Sequence, residues 1–367
     1  MSELHQDLSL LRRLYTGESV QQARHAIDGL QRGESPIPEA ASHAQQRLEA
    51  RVFLALLEFR DIYTRFPLGI SVVRPEPHGV SLAVESSERA SEILFHLLPS
   101  CASDGEEVQG VPGLRITRRD RTAIELQVLG EPARLRLFGL PARLWRSAEA
   151  RTLDKWIDPD SMQLCWRSSP RSWTQVEREH RAQWEDGNDR YTQVTQRGAW
   201  LSSGLLRRAG LLHTVANTFL IDGYRGAAFD VARLVLRSSH MHEQGPGPHN
   251  FIAALVDPVC GLPLLLKRFR GDTDESYGRD QQFVLGDIGN TAVLDFRATI
   301  ERPPSRLAPE LWQAILRRVP QTGFTSSLSP GVIAGLCGSG APQSMRRRQL
   351  PAPASPDAGR GSSSPTA

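Results

Sequence analysis

Lysine is nearly missing from this chain. Lys155 and Lys267 are its only lysines, so 42 of its 44 basic residues are arginine. The bias fits codon usage in a GC-rich genome before it fits any demand for guanidinium chemistry. It also removes a Walker-type phosphate loop, because neither lysine follows a glycine-rich turn. Cysteine is scarce as well. Cys101, Cys165, Cys260 and Cys337 are widely spaced and form no CxxC pair, which speaks against a disulfide framework or a Cys-rich zinc site and fits a reduced cytosol. Long apolar runs are absent. The most apolar stretch, Phe251 to Leu266, carries Asp257, Pro258 and Pro263 and falls short of the roughly 20 apolar residues a spanning helix needs. The start, Met-Ser-Glu-Leu-His-Gln-Asp, is polar and acidic, unlike a secretory n-region. Together these features predict a cytoplasmic protein without a membrane partner.

Charge is unevenly placed over the 367 residues. The formal net charge of +3 resides in residues 339–367, where Arg346, Arg347, Arg348 and Arg360 face only Asp357. Residues 1–338 sum to zero, which excludes a uniformly basic coat for nucleic acid. Within that neutral body residues 67–111 carry −5 and residues 112–150 carry +4.

Periodicity predicts an α+β chain: an N-terminal helical bundle, mixed helix and antiparallel-sheet units, and a disordered C-terminal tail. Leu4, Leu8, Leu11 and Leu14 form one helical stripe; Gly17 suits a left-handed C-cap and Ser19 an N-cap for a second helix through Ile27 and Leu30. A third helix is expected from Glu39 to Phe66. Residues 1–66 are read as this helical region. Residues 67–150 form a small α+β unit, with alternation at Ile70–Val84, Leu114–Ile116, Ile124–Val128 and Leu135–Leu137 and a helix capped by Ser87. Residues 151–325 form an α+β domain. Here helices are expected at Thr174–Trp184, at Ala199–Arg237 with a break near Asp222-Gly223, and at Leu311–Val319. Strands are expected at Phe251–Val256, Leu262–Phe269, Gln282–Leu285 and Ala292–Arg297. Residues 326–367, rich in Gly, Ser and Pro, are the tail. No internal repeat of solenoid length is legible.

Three constellations carry chemistry. Arg118, Arg119 and Arg121 sit on one hairpin turn and can grip phosphates, together with Arg346, Arg347 and Arg348 in the tail; internal pairing of acidic and basic stretches is the simpler account. His240 and His242, at i and i+2 on an extended segment and followed by His249, can begin a divalent-metal shell, although a solvated polar loop is the simpler account. The Thr16–Ser19 turn invites a helix-turn-helix reading with Gln21, Gln22, Arg24 and His25 as base readers. Residues 1–66 are net −1, however, a poor footprint for DNA, and a packing or dimerising bundle fits better. Trp166, Arg167, Arg171 and Trp173 would suit a base-stacking platform, but tryptophans more often serve a core.

The opening run Leu4-His-Gln-Asp-Leu-Ser-Leu-Leu-Arg-Arg-Leu-Tyr-Thr-Gly-Glu18 resembles the N-termini of uncharacterised proteins of streptomycete-type, high-GC actinobacteria. The resemblance implies a regulatory, resistance, specialised-metabolism or mobile-element setting and carries over no functional residue. With no acid–base, nucleophile or phosphate-loop constellation legible, the sequence points to a non-catalytic, transcription-associated regulatory protein with DNA or RNA as partner, paired as a homodimer through its N-terminal helices, and with no cofactor. The alternatives are a metal-dependent enzyme centred on His240, His242 and His249, and a protein–protein interaction module. Deleting residues 339–367 tests the tail: if Arg346–Arg348 touch phosphates, the truncated protein binds nucleic acid more weakly and with a shallower salt dependence in a gel-shift titration.

Overall fold

The computed structural model describes residues 3–31, 34–57, 66–102, 108–156, 162–184, 190–216, 218–228, 230–241, 248–271 and 279–301. The fold is α+β. It opens with three helices, α1 (Glu3–Thr16), α2 (Val20–Asp28) and α3 (His43–Leu56). Ser19 caps α2 in a reciprocal capping box with Gln22. Gly17 takes φ +72°, and a side chain there would strike the Ser71 carbonyl oxygen. The third helix begins at the Ser42 cap, later than the expected start at Glu39. Leu11, Leu14, Tyr15, Leu48, Val52, Phe53 and Leu56 are all buried in the chain's own core, so the stripes that suggested a pairing surface between copies are used internally.

Next come β1 (Ile70–Glu76), β2 (Gly79–Val84), α4 (Ser87–Leu97), β3 (Ser100–Ala102), β4 (Val108–Gln109), β5 (Leu114–Arg119), β6 (Ala123–Val128), β7 (Arg134–Phe138) and α5 (Ala142–Trp156). The cap of α4 is Ser86 rather than Ser87. A connecting region holds β8 (Met162–Leu164), α6 (Cys165–Ser168), α7 (Gln175–Trp184), α8 (Arg190–Arg197), α9 (Ala199–Arg207) and α10 (Leu211–Thr214). The last group is β9 (Thr218–Ala228), β10 (Val231–Met241), α11 (Pro248–Leu255), β11 (Leu264–Gly271), β12 (Arg279–Asp287) and β13 (Ala292–Glu301).

Two expectations from periodicity are corrected here. The stretch taken as a long helix, Ala199–Arg237, leaves helix after α10 and runs as β9 and β10. Val231 to Leu236 is nearly continuous in apolar character because Val235, on the outer face, is buried as fully as Leu234 and Leu236 on the inner one, which hides the period of two. Conversely, Phe251–Val256 is not a strand. Pro248 starts α11, and Phe251, Ile252, Ala254 and Leu255 bury one face of it.

The two large sheets share one topology. The first has order β1-β2-β7-β6-β5, and the second, from its other edge, β9-β10-β13-β12-β11. Each is a hairpin, a helix and a three-stranded meander, antiparallel throughout except where the hairpin's second strand runs parallel to the last strand of the meander. The inner faces match in register. Leu82, Leu137 and Ile124 line up across the first sheet as Leu236, Phe296 and Phe283 do across the second. Val80, Leu135 and Leu126 answer Leu234, Leu294 and Leu285 in the same way. All twelve are buried, each contributing about 1.5–3 kcal/mol of burial. The chain therefore contains a structural duplication that its sequence did not disclose. The first copy also carries an insertion, β3 and β4, which pairs with β8 in a small third sheet.

The helices preceding each copy, α3 and α9, pack against each other, and a buried ion pair fixes their contact. Arg207 donates from Nε and Nη2 to the two oxygens of Glu49 at 2.7 and 2.6 Å, with both side chains fully buried. Ser203 and Gln45 donate to the same carboxylate. Arg207 Nη1 reaches the carbonyl oxygens of Pro38 and Glu76, and Gln45 exchanges hydrogen bonds with the Arg134 backbone. Every polar atom of the pair thus has a partner inside the protein, the condition under which a buried pair survives. Removing one partner strands the other. Glu49→Ala is expected to cost about 3–5 kcal/mol in urea unfolding, and the double replacement Glu49→Leu with Arg207→Met far less than twice that.

Candidate functional site

Helix α11 covers the inner face of the second sheet, with the Phe251 and Phe296 rings 4.9 Å apart. On the outer face a concavity of about 660 Å³ crosses all five strands. Strand alternation sets its chemistry. Residues two apart on each strand face outward together, and the register lines them into rows. One row reads Arg270, Gln282, Arg297, Arg237 and Asp222, each residue opposite the next on the neighbouring strand. The next row toward one end contains Asp280, Thr299, Ser239 and Leu220, and toward the other Arg268, Val284, Asp295, Val235 and Tyr224.

Arg237 and Arg297 stand directly opposite each other across the parallel β10–β13 pair. Like charges in that relation disfavour a sheet. The structure offsets the repulsion with aspartates placed beside and beneath them. Arg237 Nε donates to Asp222 at 2.7 Å. Asp295 is 0% exposed and accepts from Arg233, from Arg297 (3.1 Å) and from Gln282 (2.7 Å). Burial by itself would raise the Asp295 carboxyl, but the hydrogen bonds from Arg297, Gln282 and Arg233 outweigh it and hold the carboxyl below its ordinary value. Arg297 is correspondingly raised by its bond to Asp295. The guanidiniums are therefore oriented from below, while Arg237 and Arg297 remain 52% and 48% exposed. Tyr224 presents an exposed phenol ring on the same face. Asp287 pins the β12–β13 turn, accepting from the Thr291 and Ala292 backbone N–H groups and the Thr291 hydroxyl.

On the first sheet the positions equivalent to Gln282, Arg297 and Arg237 are Ala123, Phe138 and Ala83. The row equivalent to Arg268, Val284, Asp295, Val235 and Tyr224 reads Arg118, Glu125, Arg136, Ser81 and Arg74, so an acid separates two arginines there. Arg118 (68% exposed) bonds Asp120 at 2.8 Å, and Arg136 approaches the same carboxylate. Arg119 pairs with Glu149 through two hydrogen bonds, and the Arg121 carbonyl oxygen accepts from Ala142 N–H. The arginine hairpin is real, but Arg118 and Arg119 are answered from within residues 112–150, while Arg151, just beyond that stretch, pairs with Glu88 of the acidic stretch 67–111. Arg346, Arg347 and Arg348 lie outside the described residues, as do the Leu311–Val319 segment and residues 326–367.

The histidines do not converge in what is described. The His240 backbone belongs to β10 and pairs with Thr218 and Ile300, His242 lies outside the described residues, and His249 sits on α11 against the rings of Phe269 and Phe283. That partial burial lowers the His249 pKa, although the residue keeps an exposed edge. Among the described residues no group of three or more His, Cys, Asp or Glu is placed to hold a metal ion. On α2, Gln22 is engaged in the capping box while Gln21 and His25 are exposed. Trp166 is buried and Trp173 donates to the Leu129 carbonyl oxygen, so the tryptophan pair serves packing. Among the described residues no helix is long and apolar enough to cross a membrane. No family model, no curated protein and no solved structure matches this chain.

The outer-face residues were missed in the sequence because the decisive relation, Arg237 beside Arg297, joins strands 60 residues apart. The local signal was the alternation Leu294-Asp-Phe-Arg-Ala298, in which charge falls on every second residue.

A pH prediction follows from Asp295. Its folded pKa lies below the unfolded value of about 3.9, so its contribution is complete above that pH and is lost as pH falls through the folded value. Asp295→Asn should lower the Tm at neutral pH and flatten the acid limb of the Tm–pH curve; an acid limb identical to that of the unmodified protein would refute this.

Proposed function

We propose that the protein is a non-catalytic nucleic-acid-binding regulator whose contact surface is the outer face of the second sheet. The observation that carries this reading is the exposed row Arg270, Arg297 and Arg237, with two like charges opposed across β10 and β13. Polyanion binding relieves that repulsion and releases counterions. Five arginines face three aspartates there, counting Arg233, Arg237, Arg268, Arg270 and Arg297 against Asp222, Asp280 and Asp295. Tyr224 supports single strands over duplex, because an exposed ring on a sheet face is a stacking platform for an unpaired base. Ser239, Thr299 and Gln282 offer further hydrogen bonds to phosphate or base. The arginine hairpin at Arg118, Arg119 and Arg121 is a secondary contact in this reading, since Arg118 and Arg119 are already paired with Asp120 and Glu149.

Fluorescence anisotropy with a labelled single-stranded oligonucleotide tests the reading. Arg237→Gln with Arg297→Gln should weaken binding about tenfold or more and reduce the log–log salt slope by about 1.4, the share of two phosphate contacts on a single strand. Arg118→Gln with Arg119→Gln should change affinity little. The reverse pattern moves the interface to the hairpin, and no salt-dependent binding by the unmodified protein defeats the reading altogether. Stoichiometric metal in a preparation that binds no oligonucleotide would favour the enzyme alternative.

A further inference from the structure

The third sheet holds two cysteines together that stand 64 positions apart in sequence. Cys101 lies on β3 and Cys165 begins α6, immediately after β8, the strand paired with β3. Their Sγ atoms are 3.8 Å apart, and both side chains are buried in a satellite cluster with Val108 and Val176. The Cys101 thiol also points at the Gln163 carbonyl oxygen, 3.7 Å away. A disulfide needs the two sulfurs at about 2.05 Å, so closure requires a movement of under 2 Å, within reach of side-chain rotation.

We infer that Cys101 and Cys165 form a reversible dithiol–disulfide site. The co-reactant is a low-molecular-weight disulfide of the glutathione type. One protein thiol loses its proton to solvent and attacks that disulfide, releasing one small thiolate and leaving a mixed disulfide. The second protein thiolate attacks the protein sulfur of the mixed disulfide, forming the Cys101–Cys165 bond and expelling the second small thiol. Two protein thiols are oxidised and one small disulfide is reduced to two thiols.

The position gives the bond a consequence. It would enclose β4 to β7, α5 and β8 in one covalent loop, latching the region after α5 to the strand that follows α4. Arg115 and Glu177 make a neighbouring noncovalent link: Arg115 on β5 donates to Glu177 on α7 at 2.9 and 2.7 Å and to the Ser169 and Ser172 carbonyl oxygens. Burial pushes the Cys165 thiol up to about 12, so exchange is slow in the closed protein and proceeds through local opening of the small sheet. Once the sheet recloses, the same burial shields the disulfide from reductant.

The experiment incubates the full-length native protein with glutathione disulfide, traps free thiols with N-ethylmaleimide and maps peptides without reduction. The expected result is a Cys101–Cys165 linked peptide that dithiothreitol removes, with Cys260 still a thiol, and a Tm several degrees higher for the oxidised protein. Cys101→Ser and Cys165→Ser should each abolish both the link and the Tm rise, leaving at most a mixed disulfide on the remaining cysteine. Prolonged incubation that yields no link, or only separate glutathione adducts on Cys101 and Cys165 in the unmodified protein, overturns the inference.

Discussion

Glu49 and Arg207 meet where the two copies of the fold meet, and neither has any contact with water. Each would be ruinous alone. Together, with Ser203, Gln45 and the backbone of Pro38 and Glu76 completing their hydrogen bonds, they dictate how α3 and α9 cross. That crossing sets where the first hairpin lies relative to the second sheet. Weaker links repeat the theme: Tyr15 donates to the Ala254 carbonyl oxygen, joining α1 to α11, and Thr214 reaches the Leu14 carbonyl oxygen. An apolar pair of the same volume would also fill the space, but it would not fix the angle between helices through the three directional bonds that Arg207 and Ser203 make to Glu49.

Duplication explains why the two sheets look alike inside and behave differently outside. The inner faces are constrained to large apolar residues because each must pack against a helix. The outer faces carry no such demand, and they have diverged in charge order. The row Gln282, Arg297 and Arg237 of the second sheet stands where the first has Ala123, Phe138 and Ala83, and the buried Asp295 stands where the first has Arg136. Asp222 and Asp295 offset the repulsion between Arg237 and Arg297 but leave both half exposed, and that exposure is the physical argument for a ligand.

Part of this was legible beforehand. The capping box at Ser19, the turn at Gly17, the 70–84 hairpin and the 114–137 meander all announced themselves, because local periodicity and turn chemistry determine them. Strands β9 and β10 did not, since Val235 is buried on the outer face between Leu234 and Leu236 and breaks the alternation there, and α11 was too short to separate from a strand by its apolar run. Glu49 and Arg207 gave one faint sign, charged residues within otherwise apolar helical stripes, but nothing local pairs residues 158 positions apart. The arginine row is likewise a product of parallel register. The sequence drew attention instead to Arg118–Arg121, where the charges are adjacent in the chain and largely satisfied in the fold.

The central claim is that the outer face of the second sheet, and not the arginine hairpin or the N-terminal helices, meets the polyanion. Hydrogen–deuterium exchange with and without a saturating single-stranded oligonucleotide tests this without any substitution. The account predicts slowed exchange confined to peptides from β9, β10, β11, β12 and β13, around Asp222, Arg237, Arg270, Gln282 and Arg297. Protection centred on residues 114–126 or on α2, with those five strands unchanged, would contradict it.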